Sequence, residues 1–271
     1  MTPARRFLLE YRKLAGVLPA LALLRLVGAT VLHARQVLGS RTMTAIDRAM
    51  SGEYRICYRG KPVELPLAAI DGLLEAVADN PTFGNLREMF ANDVYLRAFP
   101  WLLEAETVVD LGSNRGLFLV IAKAVLGARL AVGIEPQPYY QPVFKLLCER
   151  NAIGLAGVAH LGARIAPASG PGALTMAEVI ERFGLDRIDF LKGDIEGDEY
   201  PLFSEAGDWL SSVRTLAFEL HPWLGDNRVV VDQLVRRGFL CLTTDQFGRP
   251  AAVGDAAFVY ASTVGPLHSV F

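Results

Sequence analysis

Cysteine is scarce in this chain: three among 271 residues, Cys57, Cys148 and Cys241, far apart and without a CxxC pair. That spacing excludes a disulfide framework and argues against a structural zinc site, and it makes a reducing cytosol the expected compartment. The four histidines, His33, His160, His221 and His268, are too scattered to spell a metal motif. No basic stripe runs along the chain and the net charge is −2, so nucleic acid is not an expected partner. Repeats and low-complexity linkers are also missing. What remains is a composition of 52% hydrophobic and 21% charged residues, that of a folded globular protein.

The charge is uneven. Residues 1–41 hold seven bases (Arg5, Arg6, Arg12, Lys13, Arg25, Arg35, Arg41) against Glu10, a balance of +6, and the rest of the chain carries −8. Phe7, Tyr11, Leu14, Leu18, Leu21, Leu24, Gly28 and Val31 recur at helical spacing through the same stretch. Residues 16–34 are about as long as a membrane span. Arg25 near their middle would cost roughly 2.5–3.5 kcal/mol there, and Pro19 would kink the helix. No small-x-small site follows to suggest a cleaved export signal. A helix lying in a membrane interface fits the charge, placing the protein at the inner face of the membrane. Packing on its own domain or on a second subunit is the alternative.

Residues 1–45 are expected as this basic helical segment and 46–105 as a cap. The cap comprises a hairpin over 54–66 turning at Gly60-Lys61, a helix over 68–79, and one or two helices over 85–103. From 107 the chain alternates strand and helix. Strands are expected at 107–112, 129–136, 156–165, 187–194, 214–221, 239–245 and 256–263, with helices at 115–127, 141–151, 176–184 and 229–238. That alternation predicts an α/β, doubly wound, mostly parallel seven-stranded sheet over 106–271. The last two strands are close enough in sequence to pair antiparallel at one edge. Ligands in such sheets bind beyond the carboxyl ends of the strands, which gathers Asp110, Glu135, Lys192, Asp194, Glu219 and His221 on one rim.

"VVDLGSNRGLF" (108–118) is a strand, a glycine turn and a helix start. Gly112 and Gly116 let backbone approach a ligand. The turn is not the dinucleotide fingerprint, because Asp110 stands where its first glycine would be. An acid there suits a cationic ligand, and Glu135, ending the next strand, can accept both hydroxyls of a ribose. These residues favour S-adenosylmethionine over a nicotinamide nucleotide. A nucleotide-dependent oxidoreductase and a non-catalytic cofactor-binding protein at a membrane are the competing readings.

"VVDLGSNRGLF", "GIEPQP", "IDFLKGDIEGDEY" and "LAFELH", in that order, resemble signatures of the FkbM-type S-adenosylmethionine-dependent methyltransferases, over about residues 107–263. The resemblance implies the Rossmann-like methyltransferase sheet and cofactor contacts at Asp110, Gly112, Asn114, Gly116 and Glu135. Ser113, where an alanine is common, joins the same turn, and Ala163 after the third strand is expected beside the adenine. Gly193 departs from the family, which usually carries a large aliphatic residue there.

Methyl transfer from a sulfonium is an in-line displacement, and a hydroxyl acceptor needs a base or a metal to lose its proton. His221 has the intrinsic pKa of a base. Asp194 and Glu196 stand beside it, and Lys192 could pair with these acids or steady the acceptor oxygen. The hard oxygens of Asp194, Glu196 and Glu219 could instead hold magnesium. A structural salt-bridge cluster is the bland alternative, and Asp198 and Glu199 read as acids opening the next helix. The expected activity is O-methylation of a sugar, glycolipid or other secondary metabolite, the sugar following from the resemblance and the lipid from the basic start.

Overall fold

The computed structural model describes residues 3–40, 42–77, 80–205 and 207–269, with side chains from residue 8 onward. Arg41, Ala78 and Asp79 lie outside the described residues, as do the side chains of Arg5, Arg6 and Phe7 in the expected basic stretch. The chain groups into two compact units, residues 1–94 with 139–154, and residues 95–138 with 155–271.

The first unit opens with α1 (Pro3–Ala15) and α2 (Ala20–Ser40). Pro19 separates these helices rather than kinking one; it lacks an N–H, a loss tolerated where a helix begins. After α3 (Thr44–Ala49), β1 (Glu53–Tyr58) and β2 (Lys61–Pro66) form the expected hairpin. Its turn residues are Arg59 and Gly60, both at positive φ (48° and 77°), the backbone of a type I′ turn. Tyr54, Ile56 and Tyr58 alternate into the core. α4 (Leu67–Leu74) and α5 (Thr82–Leu86) follow, and α5 runs into a wider π-helical turn at Arg87–Ala91.

The second unit is built on seven strands: β3 (Thr107–Leu111), β4 (Leu130–Ile134), β5 (Val158–Leu161), β8 (Phe190–Gly193), β9 (Thr215–Glu219), β10 (Leu240–Thr244) and β11 (Phe258–Ser262). Their order is β10-β11-β9-β8-β3-β4-β5. β5, β4, β3, β8 and β9 are parallel, while β11 runs antiparallel between β9 and β10. All five β3 residues are buried, as expected of a strand covered on both faces. α6 (Leu117–Val120) continues into a π-helical turn and links β3 to β4. α7 (Gln141–Arg150), between β4 and β5 in sequence, belongs to the first unit, where it meets β2 and α4. α8 (Met176–Phe183), α9 (Glu199–Ser204) and α10 (Asn227–Arg236) complete the connections. α8 shows why its ends were legible: Thr175 and Glu178 form a capping box, and Gly184 closes the helix at positive φ.

Three expectations shift in detail. The hairpin turns at Arg59-Gly60, one residue before the expected Gly60-Lys61. Of the one or two helices expected over 85–103 one is present, ending at Ala91, and turns follow it. The stretch 156–165 is not one strand: β5 ends at Leu161, and β6 (Arg164–Ile165) leaves the sheet to pair with β7 (Ala173–Leu174).

From β3 the chain steps outward through β4 to β5, then returns to place β8 and β9 on the other side of β3. The switch point lies between β3 and β8, where such sheets open a crevice at their carboxyl ends.

Candidate cofactor and acid–base site

The turn after β3 is tightly fastened. The N–H groups of Gly112 and Ser113 both donate to Ile134 O, at 2.9 and 3.1 Å. Gly112 has φ +70°, and a Cβ there would stand 1.7 Å from Asp194 O. The glycine is therefore required by the strand exit beside it, a stronger constraint than room for a ligand. Asn114 adopts φ +48°, and its N–H donates to Glu135 Oε2 at 2.9 Å. Gln137 N–H donates to Glu135 Oε1 at the same distance. Both carboxylate oxygens are thus held by backbone and each keeps a lone pair facing elsewhere. Burial pushes the Glu135 carboxyl above the usual range, against those two N–H donors. Asn114 Oδ1 accepts the Arg115 N–H and guanidinium at 2.9 and 3.0 Å, and His160 hydrogen-bonds the Asn114 backbone. Ala163, after β5, is buried.

Asp110 and Lys192 are register partners across the switch point. Both are almost wholly buried, and Lys192 Nζ lies 2.9 Å from Asp110 Oδ1. The ammonium also donates to Gly112 O at 2.7 Å and stands 5.1 Å from the centroid of the Tyr95 ring. Burial raises the Asp110 carboxyl against the pull of Lys192. Burial also works against the Lys192 charge, but Asp110, Asp194 and Glu219 hold its pKa above the ordinary value. Lys192 is therefore a charged strut beneath the turn, paired with Asp110. Asp110 Oδ2 and Ser113 Oγ are buried without a hydrogen-bond partner among the described residues.

The rim lies beyond β8 and β9. Asp194 Oδ2 accepts the Tyr95 hydroxyl at 3.2 Å. His221 is 3% exposed and is gripped by Glu199, the first residue of α9: Oε1 lies 2.8 Å from Nδ1 and also accepts the His221 backbone N–H at 3.1 Å. The other Glu199 oxygen accepts Gly197 N–H at 2.9 Å. His221 Nε2 faces outward, 3.4 Å from Glu196 Oε2, whose side chain is largely exposed. Burial lowers the His221 pKa, but Glu199, with Glu219 and Asp194, outweighs it and raises the value to about 8. Trp223, 74% exposed, stands edge to face with His221 at 5.2 Å between ring centroids.

Ligand atoms of Asp194, Glu196 and His221 all lie within 4.8 Å of one another. Of the expected metal set Asp194, Glu196 and Glu219, the first two fall in this group and His221 is its third member. β9 ends at Glu219, so the strand alternation that would put Glu219 and His221 on one side stops before it reaches the histidine. Sequence reasoning also missed Glu199, which reads as a helix-opening acid but is fully buried against His221. Tyr95, His160 and Trp223 were missed too; no spacing signal marks them.

No family model and no curated protein matches the chain. Among solved structures it is similar to a methyltransferase FkbM from Methylobacillus flagellatus KT, at 17% identity over 72% of this chain and 58% of that one, TM-score 0.45. It is also similar to the METTL16 methyltransferase domain (12%; 59% and 60%; 0.42). A third is a precorrin-6y C5,15-methyltransferase from Geobacter metallireducens GS-15 (13%; 59% and 79%; 0.38). The chain spans about three fifths of the length of the first two. These likenesses are partial and divergent, and the fold stands on its own strand order.

Proposed function

We propose that this chain is an S-adenosylmethionine-dependent methyltransferase of the FkbM type, acting on a hydroxyl of a sugar, glycolipid or other secondary metabolite. The observation that carries the reading is the buried Glu199–His221 pair, whose ring lies within 4.8 Å of Asp194, the residue packed against the turn at Gly112. The turn fits the cofactor: Ser113 Oγ and Asp110 Oδ2 are buried without partners, and the Glu135 oxygens are fixed with lone pairs to spare. Asp110, Gly112, Ser113, Asn114, Gly116 and Glu135 would hold it, with Ala163 beside the adenine. When bound, S-adenosylmethionine supplies an electrophilic methyl group, so the protein needs no covalent intermediate of its own.

His221 then has one task, to take the acceptor's proton at Nε2. Glu199 fixes the ring through Nδ1 and stabilises the imidazolium that forms. The exposed face of Trp223 offers the acceptor an apolar platform beside that nitrogen. The closeness of Asp194, Glu196 and His221 supports a second route, in which these three hold a divalent cation such as magnesium that acidifies the hydroxyl. The reading is tested by incubating the purified protein with methyl-labelled cofactor and glycan or lipid extracts. Label entering an acceptor, and lost in His221→Ala, supports it. Binding of nicotinamide nucleotide in place of S-adenosylmethionine, or no transfer to any hydroxyl, sinks it. Chelator treatment that silences transfer, with recovery on added magnesium, selects the metal route.

A further inference from the structure

The first unit carries a surface that methyl transfer does not use. α2 buries Ala22, Leu26, Ala29 and Val37 and leaves Leu21, Leu24, Val27, Val31, Leu32 and Leu38 each more than half exposed. At 3.6 residues per turn these six fall on one broad face, about 26 Å long. Beside it an apolar cavity of 490 Å³, lined among others by Leu8, Ala34, Leu38 and Ile46, shares Leu38 with that face. A continuous apolar surface of this extent marks a docking site.

The occupant is decided by charge. No aspartate or glutamate occurs between Glu10 and Asp47, whereas Arg12, Lys13, Arg25, Arg35 and Arg41 do. Arg25, whose position argued against a membrane span, turns to its own unit and donates to Ala49 O and Ser51 O at 2.7 Å each. Among the described residues the one charge left on the apolar face is Arg35, near the end of α2 and exposed, with a stem long enough to reach headgroups. Two copies pairing along α2 would bring these like-charged segments together, which disfavours a dimer. α2 is long and apolar enough to cross a bilayer, but its inner face is packed within its unit and α3 lies against it.

The geometry points to an in-plane membrane helix: α2 lies in the headgroup–acyl boundary of an anionic bilayer, apolar face inward, with Arg35 at the phosphates. This does not depend on the proposed activity. The test is flotation of the full chain with phosphatidylcholine vesicles and with vesicles containing about a third phosphatidylglycerol, at low and high salt. The wild type is expected to float with the anionic vesicles alone, and less as salt rises. Leu24→Asp with Val31→Asp, both at exposed positions, should abolish flotation while leaving the thermal melt and cofactor affinity unchanged. Arg35→Glu should weaken it by about tenfold. Failure of the wild type to float at low salt overturns the inference. So does equal flotation with neutral vesicles, flotation of the double aspartate variant, or a dimer in solution that this variant converts to monomer.

Discussion

Glu199 Oε1 bridges two nitrogens of one residue, lying 2.8 Å from His221 Nδ1 and 3.1 Å from the His221 backbone nitrogen. A carboxylate with no exposure so placed fixes both the ring and its proton, leaving Nε2 as the working atom. Replacing His221 by Ala is expected to spare cofactor affinity and to slow turnover by about 10²–10⁴-fold. The pH profile separates a base from a bystander. With its pKa at about 8, His221 is protonated at neutral pH, so the rate should climb with pH and level off above that value. In Glu199→Gln the midpoint should fall toward 6.5. A raised folded-state value also means His221 contributes stability fully below pH 6.5, about 2 kcal/mol, which is lost as pH rises through 8. Urea midpoints across that window check the sign; a flat rate profile would return His221 to a structural role.

Lys192→Met should be severely destabilising, by about 3–5 kcal/mol, because it strands the Asp110 charge in the core. Combining it with Asp110→Asn should recover much of the loss. Denaturant unfolding of both variants is the measurement, and an additive double mutant would contradict the pairing.

Glu135→Ala should lower S-adenosylmethionine affinity by about one to two orders of magnitude, the loss of charge-assisted hydrogen bonds. It also frees the Asn114 and Gln137 N–H groups, so amide exchange at those two positions should quicken. Calorimetry showing unchanged affinity would remove Glu135 from the cofactor contacts.

Gly112→Ala and Gly60→Ala make a controlled pair. Both sites have positive φ (70° and 77°), but a Cβ at 112 meets Asp194 O at 1.7 Å whereas one at 60 meets nothing within 4 Å. Gly60→Ala should cost about 1 kcal/mol of backbone strain. Gly112→Ala should cost several times more and disturb the rim as well as the turn, seen as lost turnover in whatever folded fraction survives. Equal stability losses would show that φ alone governs both positions.

The sheet was readable because its strands are short apolar runs between turn residues, and buried parallel strands look like that wherever they occur. The glycine turn and Glu135 were readable by their order along the chain. The Asp110–Lys192 pair was not, since it depends on the register between β3 and β8, strands some 80 residues apart. Glu199 hid for a similar reason: an acid opening a helix has a sufficient local explanation, and only the path after β9 brings His221 to it. The third strand was overextended because Arg164 and Ile165 are extended residues that pair with β7, a partner no local pattern reveals.

Gly193 shares its layer of the sheet with one large ring. Its register partner on β9 is Phe218, and a Cβ at 193 would lie 2.1 Å from that ring. The Phe218 ring fills the space that a side chain at 193 would take, so neither position can be judged alone. A chain with a large aliphatic residue at 193 and Phe at 218 would overfill the layer, and one with small residues at both would hold a void. Of these two intermediates the void is the milder wherever its walls can relax, whereas the overlap has nowhere to go. Rebuilding this layer around a large residue at 193 therefore has to remove the Phe218 ring first and pass through the hollow state.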